Sequence, residues 1–258
     1  MYLIDVYLSV KSREAYFAAV SSISIALVAV ATLAIQVYIP ATRGYFNIGE
    51  VMVYTIALLF GPRIGCIAGG LGSALADIIS GYGFYAPATF IAKGLEGYLV
   101  GYISRLRLKI TRRFYRILSV ILPITLTLVF WAISSQLYTG LAEVTLTYYA
   151  IEVEIPLALW IMVSIALLVI LAVYLSKVDS ENITRIIAII CGGSIMVSCY
   201  YLYEQVVLGV YALAEVPVNI GQMLIGLSVS IPLSKALAKI NLPTIIEDYG
   251  RHPSRLDS

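Results

Sequence analysis

The chain has 258 residues, 60% of them hydrophobic and only 12% charged, with a formal net charge of +2. Soluble domains carry about 25% charged residues, so this is an integral membrane protein, and no nucleic-acid partner is expected. Cys66, Cys191 and Cys199 all fall in apolar runs and offer no disulfide framework. The single histidine, His252, lies in a polar tail, so no metal site and no cofactor are expected.

In chain order, Met1 to Glu14 carries Asp5, Lys11, Arg13 and Glu14 and lacks a cleavage pattern, so the first apolar segment is expected to stay as an anchor. That span is Tyr16 to Ile39, long enough to cross about 30 Å of hydrocarbon. Small residues line it at helical spacing: Ala15 and Ala19, then Ser22 and Ala26. They suit packing within the chain or docking of another membrane protein.

Pro40 to Phe46 reads as a loop, and the next run, Ile48 to Phe60, is too short for an ordinary crossing. Bare backbone is not tolerated in lipid, so the loop before it must line a cavity or be covered by protein. Asn47 and Glu50 are therefore placed at a cavity wall. The third and fourth spans are Pro62 to Ile79 and Ala86 to Ile103. Gly65 and Gly69 on one, and Gly97 and Gly101 on the other, have the spacing that brings two membrane helices to backbone contact.

A basic cluster follows: Arg105, Arg107, Lys109, Arg112, Arg113 and Arg116. Spans five and six are Ile117 to Tyr138 and Ile155 to Leu175, separated by an acidic loop from Thr139 to Glu154. Spans seven and eight are Ile186 to Leu208 and Val218 to Leu237. The chain thus reads as an all-α single membrane domain of about eight transmembrane helices. Four lie over 16–105, two over 106–177 and two over 184–240, with a polar, loosely ordered tail over 241–258.

Lys and Arg fix the orientation. With an inside N-terminus, fifteen of the seventeen fall on the inner side, Arg43 is outside, and Lys93 lies within a span. Both termini are expected in the cytoplasm of a cell that carries the protein in its plasma membrane as a multi-pass chain.

In this topology the outer ends of the spans collect polar groups. Asn47 and Glu50 are on span two, Asp77 on span three, Lys93 and Glu96 on span four, Glu204 and Gln205 on span seven, and Asn219 and Gln222 on span eight. Ionisable groups inside membrane segments are functional candidates by default. Tyrosines surround them, among them Tyr45, Tyr82, Tyr85, Tyr200, Tyr201 and Tyr203. Aromatic walls with a few oriented polar groups describe a pocket for a small heteroaromatic molecule. Bland readings stand beside this one: an interfacial tyrosine belt, mutual neutralisation of Lys93 and Glu96, and a capping role for Asn219. The substrate-binding candidates are Asn47, Glu50, Tyr85, Lys93, Glu96, Tyr200, Tyr203, Glu204, Asn219 and Gln222. No GxxxxGK[ST], HExxH or GxSxG occurs in the chain, so no catalytic residues are assigned and no enzyme is expected. Any uphill transport needs an ion gradient or a separate motor.

The run FNIGEVMVYTIALLFGPRIGCIAGGLGSALADIISGYGFYAPATFIAKGLEGYLVGYI resembles the substrate-binding S components of energy-coupling factor (ECF) transporters. The resemblance lies in a loop with Asn and an acidic residue, a GP-x-x-G turn, a G-x-G-S-A-x-A-D helix and a Y-x-x-P-x-x-x-x-x-K-G-x-x-G helix. The later stretch MVSCYYLYEQVVLGVYALAEVPVNIGQMLIGLSVSIPLSKAL is similar to the family's last two helices. The family has six helices, so spans five and six, 106–177, look like an inserted pair. The resemblance implies high-affinity capture of a water-soluble vitamin or its precursor. It also implies association with a coupling transmembrane subunit and two cytoplasmic ATPases, and release inward as the S component topples. Ala15 and Ala19 then match the alanine motif that docks on the coupling subunit. The competing readings are a self-sufficient secondary transporter, which calls for inverted repeats, and a membrane enzyme using Asp77, Lys93 and Glu96.

The eight-span topology makes a direct prediction. Single cysteines at Thr145 and Ser180, in a background without Cys66, Cys191 and Cys199, are expected to react with an impermeant thiol reagent from opposite sides of the membrane. Labelling of both from one side would overturn it.

Overall fold

A computed structural model describes residues 2–39, 44–106, 111–137, 139–146, 149–176 and 180–239. The polar tail, Arg107 and Lys109 of the basic cluster, Lys177, and Pro40 to Arg43 of the first loop lie outside the described residues. The elements are α1 (Tyr2–Ala34), β1 (Gln36–Ile39), β2 (Gly44–Asn47), α2 (Glu50–Phe60), α3 (Pro62–Ile79), α4 (Ala86–Ile103), α5 (Arg112–Leu137), β3 (Gly140–Leu146), β4 (Tyr149–Ile155), α6 (Leu157–Ser176), α7 (Ser180–Leu208), a 3-10 segment (Gly209–Ala214) and α8 (Glu215–Ala238). The protein is an all-α membrane bundle of eight described helices, with two small hairpins joining them. Stretches in α1, α5, α7 and Ala212–Ala238 are long and apolar enough to cross a bilayer on their own.

Two connections differ from the sequence expectation. The first span stops at Ala34 instead of running to Ile39. Gln36–Ile39 leaves the helix and pairs antiparallel with Gly44–Asn47, setting Gln36 opposite Asn47 and Tyr38 opposite Tyr45. Val37, Tyr38 and Ile39 are β-branched or aromatic and favour a strand once a partner is at hand. The Thr139 to Glu154 loop is likewise largely a hairpin, with Glu143 opposite Glu152 and Leu146 opposite Tyr149. At the other end of the chain, α8 starts three residues earlier than the expected Val218. Its cap is Ala214, so Asn219 lies inside the helix and does not cap it.

The short second helix has a structural explanation. With 11 residues α2 spans about 16 Å, and the hairpin β1–β2 occupies the space above it. The backbone there is not left bare: Asn47 N–H donates to Gln222 Oε1 of α8 at 2.8 Å, and Gly49 N–H to Asn47 Oδ1 at 2.8 Å.

The closest packing is between α3 and α4, where glycines meet backbone. A Cβ placed on Gly65 would stand 2.6 Å from Gly97 O, and one on Gly69 would stand 2.5 Å from Lys93 O. Further along α3, on the same glycine stripe, the helix meets α1, where a Cβ on Gly72 would lie 2.7 Å from Ile25 O. The face of α1 turned to the bundle buries Ser21, Ser24, Val28 and Thr32. The opposite face leaves Ala15, Ala19, Ser22 and Ala26 exposed. Beneath the hairpin the core fills with Val53, Tyr54, Met196, Met223 and Leu227, all buried. The α2–α3 turn needs Gly61, whose φ of +89° is unfavourable for other residues.

Gly69→Leu is expected to force α3 from α4 and to lower stability by at least the about 1–3 kcal/mol of ordinary overpacking. Gly83→Ala, at a glycine with nothing within 4 Å, is expected to leave the thermal unfolding temperature unchanged. Equal behaviour of the two variants in a thermal unfolding assay would refute the seam.

Candidate functional site

At the end of the bundle that carries β1–β2, four helices and the hairpin line a cavity of about 40 Å³. It is lined by Gly44, Tyr45 and Asn47 of β2, Asp77 of α3, Tyr85, Thr89 and Lys93 at the start of α4, Tyr200 and Glu204 of α7, and Glu215, Asn219 and Gln222 of α8. Each helix contributes from the end that the Lys/Arg distribution assigns to the outside.

The site is built round Lys93, which is 3% exposed. Its ammonium donates to Glu50 Oε1, on the first turn of α2, and lies 3.4 Å from Glu96 Oε2, one turn along α4. Glu96 Oε1 in turn accepts from the Tyr54 hydroxyl at 2.5 Å. A cation and two carboxylates without water are stable only when mutually paired, and here they tie α2 to α4. The same ammonium stands 5.6 Å above the Tyr200 ring, within cation–π range.

A second set of bonds closes the roof. Tyr45 OH donates to Asp77 Oδ1 at 2.5 Å. Burial, with Asp77 beside it, pushes the Tyr45 phenol well above its ordinary range, so it remains a donor. Gln36 Nε2 donates to Ser80 Oγ at 2.9 Å, and the Asn47 backbone is held by Gln222. The hairpin is thus fastened to α3, to the turn after α3 and to α8. On the α8 wall, Gln222 Nε2 donates to Asn219 Oδ1 at 2.9 Å. Between α7 and α4, Tyr200 OH donates to Thr89 Oγ1 at 2.9 Å.

Some buried polar atoms have no hydrogen-bond partner: Glu50 Oε2, Asp77 Oδ2, Glu204 Oε2 and Asn219 Nδ2. A buried polar atom without a partner carries a desolvation penalty of about 1–3 kcal/mol. Asp77, Glu204 and Asn219 belong to the cavity wall, so each has bonding capacity for an incoming molecule.

Of the ten substrate candidates, Asn47, Tyr85, Lys93, Tyr200, Glu204, Asn219 and Gln222 reach the wall. Glu50 and Glu96 stand behind Lys93 as its counter-charges. Tyr203 is turned aside: its hydroxyl donates to Phe84 O at 2.7 Å and its ring packs on Phe84 and Tyr85. Sequence reasoning left out Thr89 and Glu215. Glu215 had a signal: an acidic residue two positions before Pro217, at the head of an apolar span.

These placements separate two kinds of role. Lys93→Ala orphans two buried carboxylates and is expected to cost about 3–5 kcal/mol of folding stability, read as a large drop in unfolding temperature without ligand. Glu204→Ala removes a group with an unpartnered atom, so it is expected to spare that temperature and to weaken ligand binding by about 2–3 kcal/mol in calorimetry. A Lys93→Ala protein of unchanged stability would refute the ion-pair role.

Comparison with known proteins follows the same lines. The family model described as "ECF-type riboflavin transporter, S component" matches residues 16–178. It therefore covers α1 to α6 and ends before α7. A Pyrococcus woesei protein described as "Uncharacterized protein in gap 3'region" is 49% identical over 78 residues, 30% of this chain. The chain spans about half, 52%, of that relative's length.

Proposed function

From the premise that the chain belongs to the family of ECF-type riboflavin transporter S components, we propose that it captures a water-soluble, flat heteroaromatic vitamin or precursor from outside the cell. It delivers this ligand to a coupling transmembrane subunit served by two cytoplasmic ATPases. Riboflavin, named in the family's description, is the first compound to test. The observation that carries the reading is the outer cavity, whose wall combines tyrosine rings with buried polar atoms left without partners.

The cavity holds only a few waters, at about 10–15 Å³ each, whereas ligand pockets run to about 300–1,000 Å³. Entry therefore requires the β1–β2 hairpin to lift, breaking the Tyr45–Asp77, Gln36–Ser80 and Asn47–Gln222 bonds and remaking them over the ligand. Both termini face the cytoplasm in this reading, which follows from the Lys/Arg distribution. α5 and α6 form an added pair in this reading: they pack chiefly on each other, and among the described residues they supply none of the cavity wall.

The test of capture is a thermal-shift screen of vitamins and precursors on the purified protein. A ligand at 100 times its dissociation constant is expected to stabilise by about 2.7 kcal/mol. Silence across the screen would count against capture.

Docking makes its own prediction. Ala15 and Ala19 lie on the face of α1 turned away from the bundle, where only small residues let another helix approach closely. Ala15→Leu or Ala19→Leu is expected to abolish co-purification with the ATPases and uptake, while ligand affinity stays at the parent value. Loss of affinity in step with uptake would return the stripe to the chain's own packing.

A further inference from the structure

A line of hydrogen bonds runs from the hairpin into the cavity. It starts at a group of fixed polarity, the Asn47 backbone N–H, which can only donate. That N–H donates to Gln222 Oε1 at 2.8 Å, so the Gln222 amide turns its oxygen to the hairpin. Its nitrogen, Nε2, donates to Asn219 Oδ1 at 2.9 Å, one turn back on α8, where side chains three apart are neighbours. Gln222 is thus engaged at both ends of its amide, and Asn219 has its oxygen toward Gln222. What Asn219 has left is Nδ2. Asn219 is 3% exposed and lines the cavity, and its Nδ2 has no hydrogen-bond partner. A side-chain amide has nearly the same shape either way round, so its direction comes from the groups it bonds. Here three groups in series set that direction, and the last of them leaves a donor on the cavity wall. A buried donor without a partner is costly, and an acceptor on a bound molecule relieves it.

We propose that Gln222 is a positioning residue that passes the state of the hairpin to Asn219, and that Asn219, so directed, reads a ring nitrogen or carbonyl oxygen on the ligand. With the hairpin down, Asn47 holds Gln222 and Gln222 holds Asn219 as a donor. With the hairpin lifted, the Asn47 N–H leaves Gln222, and both amides are free to turn end for end. The polarity of this wall is therefore set only as the hairpin closes. Coupling of this kind is reciprocal: an acceptor that engages Asn219 Nδ2 keeps Gln222 Oε1 turned to the hairpin and favours closure. The inference rests on the vitamin-capture reading and deepens it, assigning one ligand contact and its link to the roof.

Two measurements on the full-length purified protein test this. The first needs no ligand and follows hydrogen exchange at the Asn47 backbone N–H by NMR. Asn219→Ala takes from Gln222 Nε2 its acceptor and frees the Gln222 amide to turn, so exchange at Asn47 is expected to quicken by about tenfold or more. Asn219→Asp keeps an oxygen for Nε2 and is expected to hold the parent rate. Asn219→Leu serves as the second variant should Asn219→Ala fail to fold. An unmoved rate in the folded variant would overturn the relay. The second measurement is calorimetry with riboflavin, thiamine and pyridoxine, each of which carries a ring-nitrogen or carbonyl acceptor. For the probe that the parent protein binds most tightly, Asn219→Ala is expected to weaken binding by about tenfold or more. Gln222→Met is expected to weaken it less, and the double variant no more than Asn219→Ala alone, because Gln222 acts through Asn219. Additive losses would overturn the positioning role and put Gln222 on the ligand itself. Undiminished binding by folded Asn219→Ala would overturn the donor role and leave vitamin capture standing. Binding of no probe would overturn the capture reading and the donor role with it, while the exchange rates still decide the relay.

Discussion

The ammonium of Lys93 is the point on which the cavity end of the bundle depends. It lies within a membrane bundle, where an ionised group persists only among counter-charges, and it finds them at Glu50 and Glu96. Glu50 is the first residue of α2, so the ion pair sets the depth at which that helix begins. A helix that starts low leaves a hollow above it, and the chain fills the hollow with a hairpin instead of more helix. The hairpin brings backbone polar groups over the cavity, and Gln222 of α8 answers one of them. The short helix, the hairpin roof and the amide-bearing start of α8 are successive consequences of placing one charge.

Much of this was legible in the sequence because membrane chains punish exceptions. Asp77, Lys93, Glu96 and Glu204 stand out in apolar runs, and the thirteen-residue second run is conspicuous beside its neighbours. The glycine spacing of α3 and α4 gave their contact, since only close backbone approach makes such spacing useful. The hairpins were less legible. Gln36 to Ile39 follows directly on the apolar helix, and nothing local tells a strand from one more helical turn until its partner at Gly44–Asn47 is known. Glu215 escaped because the 3-10 segment ahead of it, GVYALA, blurs the start of α8. Thr89 carries no charge to mark it.

The family match and the site divide the chain differently. The match ends at residue 178, so Asn47, Asp77, Tyr85, Thr89 and Lys93 fall within it, while Tyr200, Glu204, Glu215, Asn219 and Gln222 lie beyond. The portion within the match supplies the ammonium and most of the bonds that hold the hairpin. The portion beyond it supplies two of the three wall carboxyls and both wall amides other than Asn47. Scaffold and recognition chemistry are thus drawn largely from separate stretches of one polypeptide.

The α3–α4 seam has a mechanical consequence. Where Gly65 and Gly69 face Gly97 O and Lys93 O, α3 and α4 meet backbone to backbone, and few rotamers can change. Such a seam cannot soften by degrees: it is intact or it is parted. The hairpin, by contrast, is fastened by a few separate hydrogen bonds that can break one at a time. The cavity is thus bounded by one stiff limb and one compliant limb: on the β1–β2 side the ties are single hydrogen bonds, and on the α3–α4 side they are a backbone seam.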